Sequence, residues 1–246
     1  MLEPEAALWR VRDFILAMSG GVLLALLVAI PTIDASPTVF LVSAAVAQYA
    51  GHFGTIWFLA RSRGGFASLG FSVEGRDGVW LLAGIALQII LPVLFFPLAE
   101  MISEGDGGQV IGEELRALNN DAARIYMALT IGLLAPVTEE LLFRGILLRA
   151  ILPQRARSAA WIVAAVFALF HIFGLGGDLL RALVMTMPVF FVMGLILANL
   201  TIRRGRLGPA IFVHAGFNLL GLLVLFLPEE VIDEALRQAT TTSLGG

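Results

Sequence analysis

Apolar runs separated by short polar or proline-marked connections dominate the chain. They extend over Phe14–Ile33, Thr38–Ala60, Gly78–Leu98, Ile125–Leu148, Ala159–Phe173, Leu179–Ile202 and Pro209–Leu227. A helix needs about 20 apolar residues to cross the ~30 Å hydrocarbon core of a bilayer. The pattern therefore predicts an all-α fold, a polytopic transmembrane helical bundle of about seven spans. The first run is long and has no persuasive small-residue cleavage site, so it reads as an uncleaved span rather than a signal peptide. Pro31 and Pro37 bracket the turn after it. One long polar connection, Glu100 to Arg124, carries Glu100, Glu104, Asp106, Glu113, Glu114 and Asp121 against Arg116 and Arg124. The last residues, 229–246, form an acidic and partly disordered tail. The whole chain, 1–246, reads as a single integral membrane domain, and 125–220 is the part that carries chemistry.

Composition agrees with that pattern. Of 246 residues, 59% are hydrophobic and 14% charged, with a mean hydropathy of +0.90; a soluble domain carries about 25% charged residues. No cysteine is present, which excludes disulfides, thiolate metal ligands and thiol nucleophiles. All 16 basic residues are arginine, and no basic patch with interleaved aromatics marks a nucleic-acid partner. If the spans alternate, the arginines at 10–12, 61–63, 149–157 and 203–206 fall on one side, and the acidic connection and tail on the other. Cytoplasmic loops are enriched in arginine and lysine, which places the amino terminus in the cytoplasm and the carboxyl terminus outside. The compact, all-arginine sequence points to a bacterial inner (plasma) membrane.

Ionisable groups at membrane depth are expensive and mark function by default. The fourth run is apolar except for Thr130, Thr138, Glu139, Glu140 and Arg144. Later runs add His171, His214 and Asn218. Counted from the nearest arginine at about 1.5 Å per residue, Glu139 lies roughly 15 Å deep, His171 21 Å, His214 12 Å and Asn218 18 Å. Four polar groups on three helices thus reach a similar layer. Glu140 and Arg144, four apart on one helix face, read as a buried ion pair that supports the structure. Glu139 is turned about 100° away and is free to accept a proton. His214 and Asn218 share a face, with Ala215 and Gly216 letting another backbone approach. His52, between Gly51 and Gly54, and Gln88 read as packing residues. Pro136 removes an amide and crowds the carbonyl of Gly132, which predicts a kink beside the acids.

An acid, two imidazoles and an amide supply what peptide hydrolysis needs: a base for water, donors for the oxyanion and an acid for the leaving amine. The residues assign Glu139 and His171 to water, and His214 and Asn218 to the oxyanion. No Gly-x-Ser-x-Gly elbow occurs.

Glu139-Glu140-x-x-x-Arg144, Phe167-x-x-x-His171 and His214-x-x-x-Asn218, in this order on successive runs, resemble the CAAX protease and bacteriocin-processing (CPBP, or Abi) family of intramembrane endopeptidases. The resemblance covers Pro136 to Asn218, and the first three runs carry no motif. It implies a helical membrane protease that uses a glutamate-activated water. The first Glu and first His would act on water, and the later His and Asn would hold the oxyanion, with Glu140, Arg144 and Phe167 in support. The partners implied are the lipid bilayer and a membrane-associated peptide or protein substrate, lipidated in the eukaryotic relatives. The family has been described as metal-dependent, and Glu139, Glu140, His171 and His214 include the ligand types zinc prefers. His-Glu-x-x-His is missing and Glu140 is paired with Arg144, so no cofactor is expected, with zinc as the alternative. Two other readings of the residues stay open. Buried Glu and His also build proton-coupled transporters, though the duplicated halves many transporters show are absent. The same bundle could serve as a non-catalytic immunity or scaffold protein.

Overall fold

A computed structural model describes residues 8–102, 107–109, 115, 118, 120–177 and 179–227. Most of the acidic connection and the acidic tail lie outside the described residues. The main helices are α1 (Val11–Thr32), α2 (Pro37–Ala60), α3 (Trp80–Ile102), α4 (Asp121–Ile151), α5 (Ala159–Phe170), α6 (Leu179–Arg204) and α7 (Gly208–Phe226). Six of them are long and apolar enough to cross a membrane; α5 is the exception. The chain is a multi-pass membrane protein.

The fifth run is shorter than its hydropathy suggests. Its α-helix stops at Phe170, 12 residues long, which is about 18 Å and well short of a bilayer core. A tighter 3₁₀ turn, His171–Gly174, follows it. The chain then departs from an all-helical trace. Leu175–Gly177 (β2) pairs antiparallel with Gly107–Gln109 (β1), with Gly107 opposite Gly177.

Helices α1 and α2 pack as a hairpin because small residues face each other: a side chain on Gly51 would run into the backbone of Gly20. His52 Nδ1 donates to the Ala17 carbonyl at 2.9 Å across this contact, so it is the packing residue expected. Ser36 starts α2, accepting from the Val39 amide, with Pro37 at the first helical position. Helices α3 and α7 meet through reciprocal glycines. Gly84 lies against the Val213 carbonyl and Gly216 against that of Leu81.

Half of the residues in the most apolar part of α4 and of α7 are buried, against 17% in α1 and α2. The polar residues therefore sit on the enclosed helices, while α1 to α3 turn residues such as Leu27, Ile30, Leu82 and Val93 outward. The arginine connections gather at one end of the bundle, as alternation requires. Arg149 donates to the carbonyls of Leu69 (3.0 Å) and Gly205 (3.1 Å). Its guanidinium occupies the place a side chain would take at Gly70, where φ is +73°. Arg206 clamps Asp77 through both carboxylate oxygens (2.5 and 2.8 Å). Arg63 reaches Asp13 at 3.2 Å, and Trp9 Nε1 donates to the Ser68 carbonyl.

Helix α4 carries two wide π-type stretches, Thr130–Leu134 and Glu140–Leu147, on either side of Ala135–Glu139. Such bulges gather at functional sites. The first one answers Pro136. The Ala135 amide reaches five residues back, to the Thr130 carbonyl. In that register the next acceptor is Ile131, for which Pro136 has no amide to offer. The expected conflict between Pro136 and Gly132 is absorbed by this change of register.

Candidate active site

Arg144 is fully buried, and its surroundings explain how a charge is tolerated there. Its Nη1 donates to Glu140 Oε1 at 2.8 Å and its Nη2 to the Gly194 carbonyl of α6 at 3.0 Å. The guanidinium carbon lies 4.4 Å from the centroid of the Phe167 ring. The supporting pair read from the i,i+4 spacing is present, with both side chains at 0% exposure. Glu140 does more than neutralise Arg144. The same Oε1 accepts from His214 Nδ1 at 3.0 Å. Helix α7 is thereby tied to the Glu140 carboxylate on α4, and α6 is tied to the same pair through Arg144.

With Nδ1–H given to Glu140, His214 turns Nε2 toward Glu139 Oε2, 3.8 Å away. His171 arrives from the other side in the same tautomer. Its backbone amide bonds the Ala168 carbonyl three residues back, which frees the Phe167 carbonyl. His171 Nδ1 donates to that carbonyl at 2.8 Å. The Nε2 atom then lies 3.9 Å from the same Glu139 Oε2. The 3₁₀ turn that ends α5 is thus what orients this imidazole. Phe190 of α6 stacks on it at 3.8 Å between centroids and 20° between planes.

Neither imidazole is close enough to Glu139 for a direct hydrogen bond. Glu139 Oε2 is buried and has no hydrogen-bond partner among the described residues. The side chains of Glu139 and His171 are 17% and 15% exposed, whereas Glu140 is sealed. One carboxylate oxygen and two imidazole nitrogens therefore converge, too far apart to bond directly, beside side chains that keep partial exposure.

The structure brings Glu139, Glu140, Arg144, Phe167, His171 and His214 into one cluster. Asn218 stands one turn along α7 from His214, and its Nδ2 donates to the Ile131 carbonyl at 2.9 Å. It covers the acceptor that Pro136 leaves open and keeps one further N–H. Tyr49 of α2 lies within electrostatic reach of Glu139. Sequence reasoning missed Phe190 and Gly194, since an aromatic or a glycine inside an apolar run carries no distinguishing signal. It also missed the bond between Glu140 and His214, which links positions 74 apart.

The donors do not suit zinc as they stand. Ligands held at about 2.0–2.1 Å in a tetrahedron lie about 3.4 Å from one another, and here Glu139 Oε2 is 3.8 and 3.9 Å from the two nitrogens. Glu140 is held by Arg144 and His214. Among the described residues no group of three His, Cys, Asp or Glu side chains is placed to hold a metal ion.

Residues 121–220 match the model of the Rce1-like family, described as type II CAAX prenyl endopeptidase. The match spans all three motifs, so the segment carrying them is similar to a CAAX-type membrane protease family. No curated protein and no solved structure matches the chain.

Proposed function

We propose that this protein is an intramembrane endopeptidase in which Glu139 activates water without a metal. The observation that carries this reading is the unpartnered Glu139 Oε2, which faces the Nε2 atoms of His171 and His214 at 3.9 and 3.8 Å. A water admitted beside these groups, as the side chains shift to receive substrate, donates one hydrogen to Glu139 and the other to His171. As Glu139 takes its proton, the water oxygen attacks the carbonyl carbon of the substrate and the carbonyl oxygen becomes an oxyanion. His214, carrying a second proton on Nε2 against the Glu140 carboxylate, and the remaining N–H of Asn218 stabilise that charge. Glu139 then passes its proton to the amide nitrogen as the C–N bond breaks, releasing an acid and an amine.

The substrate is a membrane-embedded peptide bearing a long apolar group. Beside His171, the residues Phe14, Met18, Phe143, Phe170 and Ile172 line a lipid-facing groove of about 470 Å³ that suits such a group, whether side chain or attached lipid. By the positive-inside rule the arginine-rich end faces the cytoplasm.

The test is cleavage of a lipid-anchored peptide library by purified protein in liposomes, with zinc chelated. Glu139→Gln and His171→Ala should each lower the rate by about 100-fold or more while leaving the melting temperature near that of the parent. Full activity in both variants overturns the proposal, and activity lost on chelation and restored by zinc overturns its metal-free form.

A further inference from the structure

Away from the catalytic cluster, at the arginine-rich end, α3 and α6 diverge above α7 and leave a groove of about 560 Å³. Its two walls are graded in the same direction. On α6, Arg203, Asn199 and Leu195 follow one another at four-residue spacing along one face. On α3, Trp80 stands at the polar end and Leu87 two turns deeper. The groove therefore runs about 12 Å from a guanidinium to aliphatic side chains.

Three features at its mouth have no role in the fold or in the proposed chemistry. Arg203 is exposed and forms no ion pair among the described residues. The neighbouring acids are engaged elsewhere: Asp77 is clamped by Arg206, and Glu74 is shared by Arg76 and Arg206. Asn199 is exposed within a candidate span, where an amide is costly. Its Nδ2 folds back on the Leu195 carbonyl at 2.8 Å, leaving the second N–H and the carbonyl oxygen for a bound molecule. Arg204 rests 5.3 Å from the Trp80 ring centroid, an aromatic and cation pair typical of the membrane–water boundary.

We propose that this groove binds an anionic glycerophospholipid, with its phosphate on Arg203, a glycerol or ester oxygen on Asn199 and one acyl chain between Leu87 and Leu195. Uncompensated positive charge at the mouth selects the anion. The apolar depth selects a lipid over a free phosphate. The site is independent of the protease reading.

Full-length protein in detergent, titrated with dioleoyl phosphatidylglycerol or dioleoyl phosphatidylcholine and read by native mass spectrometry, tests this. The parent should retain phosphatidylglycerol at about fivefold lower lipid concentration than phosphatidylcholine, and Arg203→Gln should erase that preference. Ile196→Trp, which narrows the groove without altering charge, should weaken retention of both lipids. Arg155→Gln, at an exposed arginine of the same end, should leave the preference intact. An unchanged preference in Arg203→Gln overturns the proposal. So does an equal loss in Arg155→Gln, which would mean diffuse electrostatic adsorption. Displacement of phosphatidylglycerol by millimolar inorganic phosphate, with Ile196→Trp behaving as the parent, would make it an anion site rather than a lipid site.

Discussion

Glu140 holds His214 at 3.0 Å through the same oxygen that receives Arg144 at 2.8 Å. The second acid of the pair therefore sets the tautomer and direction of an imidazole on another helix, as a carboxylate orients a catalytic histidine in many hydrolases. Adjacent glutamates divide the work because neighbouring side chains on a helix point about 100° apart. Glu140 is sealed in the interior, and Glu139 keeps 17% of its side chain exposed.

This division separates stability from chemistry. Glu140→Ala leaves the Arg144 guanidinium buried without its partner and should destabilise the protein by about 3–5 kcal/mol. Replacing both, as Glu140→Leu with Arg144→Met, should recover most of that loss, because a buried ion pair is often no better than an apolar isostere. Peptidase activity should stay low in the double variant, since His214 then has no acceptor at Nδ1. Thermal unfolding in detergent, read beside cleavage rate, checks both halves. Activity recovered together with stability would reduce Glu140 to a structural residue.

Phe190 is expected to act through His171. With the stack removed, Phe190→Ala should lower kcat by about 10- to 100-fold and leave KM nearly unchanged, because a displaced catalytic group slows chemistry more than binding. Phe190→Tyr keeps the ring and should retain most of the activity. A loss confined to KM would assign Phe190 to substrate binding instead.

The residues that could be read from the sequence are those whose chemistry is anomalous in an apolar run. Glu139, Glu140, Arg144, His171, His214 and Asn218 stand out because charge and hydrogen-bonding capacity have no solvent there. The i,i+4 spacing of Glu140 and Arg144 and of Phe167 and His171 survives folding because it is local. What stayed hidden depends on register and on contacts between helices. A π turn has no compositional mark, so the way α4 accommodates Pro136 was not visible. The short α5 was read three residues too long, since Ile172 and Phe173 remain apolar while the backbone tightens at His171. Asn199 was passed over because one amide near the end of a span resembles an interfacial residue.

Close packing of α3 on α7 positions His214, and it depends on glycine. Gly216→Val would drive a branched side chain into the Leu81 backbone. It should separate the helices, lower the melting temperature and reduce activity together. Gly54→Ala, where nothing lies within 4 Å of an added carbon, is the matched control and should be neutral. A neutral Gly216→Val would show that this contact is not maintained in the bilayer.

Asn218 invites two readings, a clamp on the Ile131 carbonyl and an oxyanion donor, and a double-mutant cycle separates them. Asn218→Ala leaves a backbone carbonyl without a donor and should destabilise the protein by about 1–3 kcal/mol. Pro136→Ala restores an amide at the position that, in the π register, faces Ile131. In that background the stability lost on Asn218→Ala should shrink, because the carbonyl has a second donor. Catalysis follows a different rule. If Asn218 also donates to the oxyanion, the cleavage rate should fall by about 100-fold in either background, whatever happens to stability. Rate loss that tracks stability loss across the cycle would leave the clamp as the whole role of Asn218. Equal stability loss in both backgrounds would instead break the link drawn here between Pro136 and the Ile131 carbonyl.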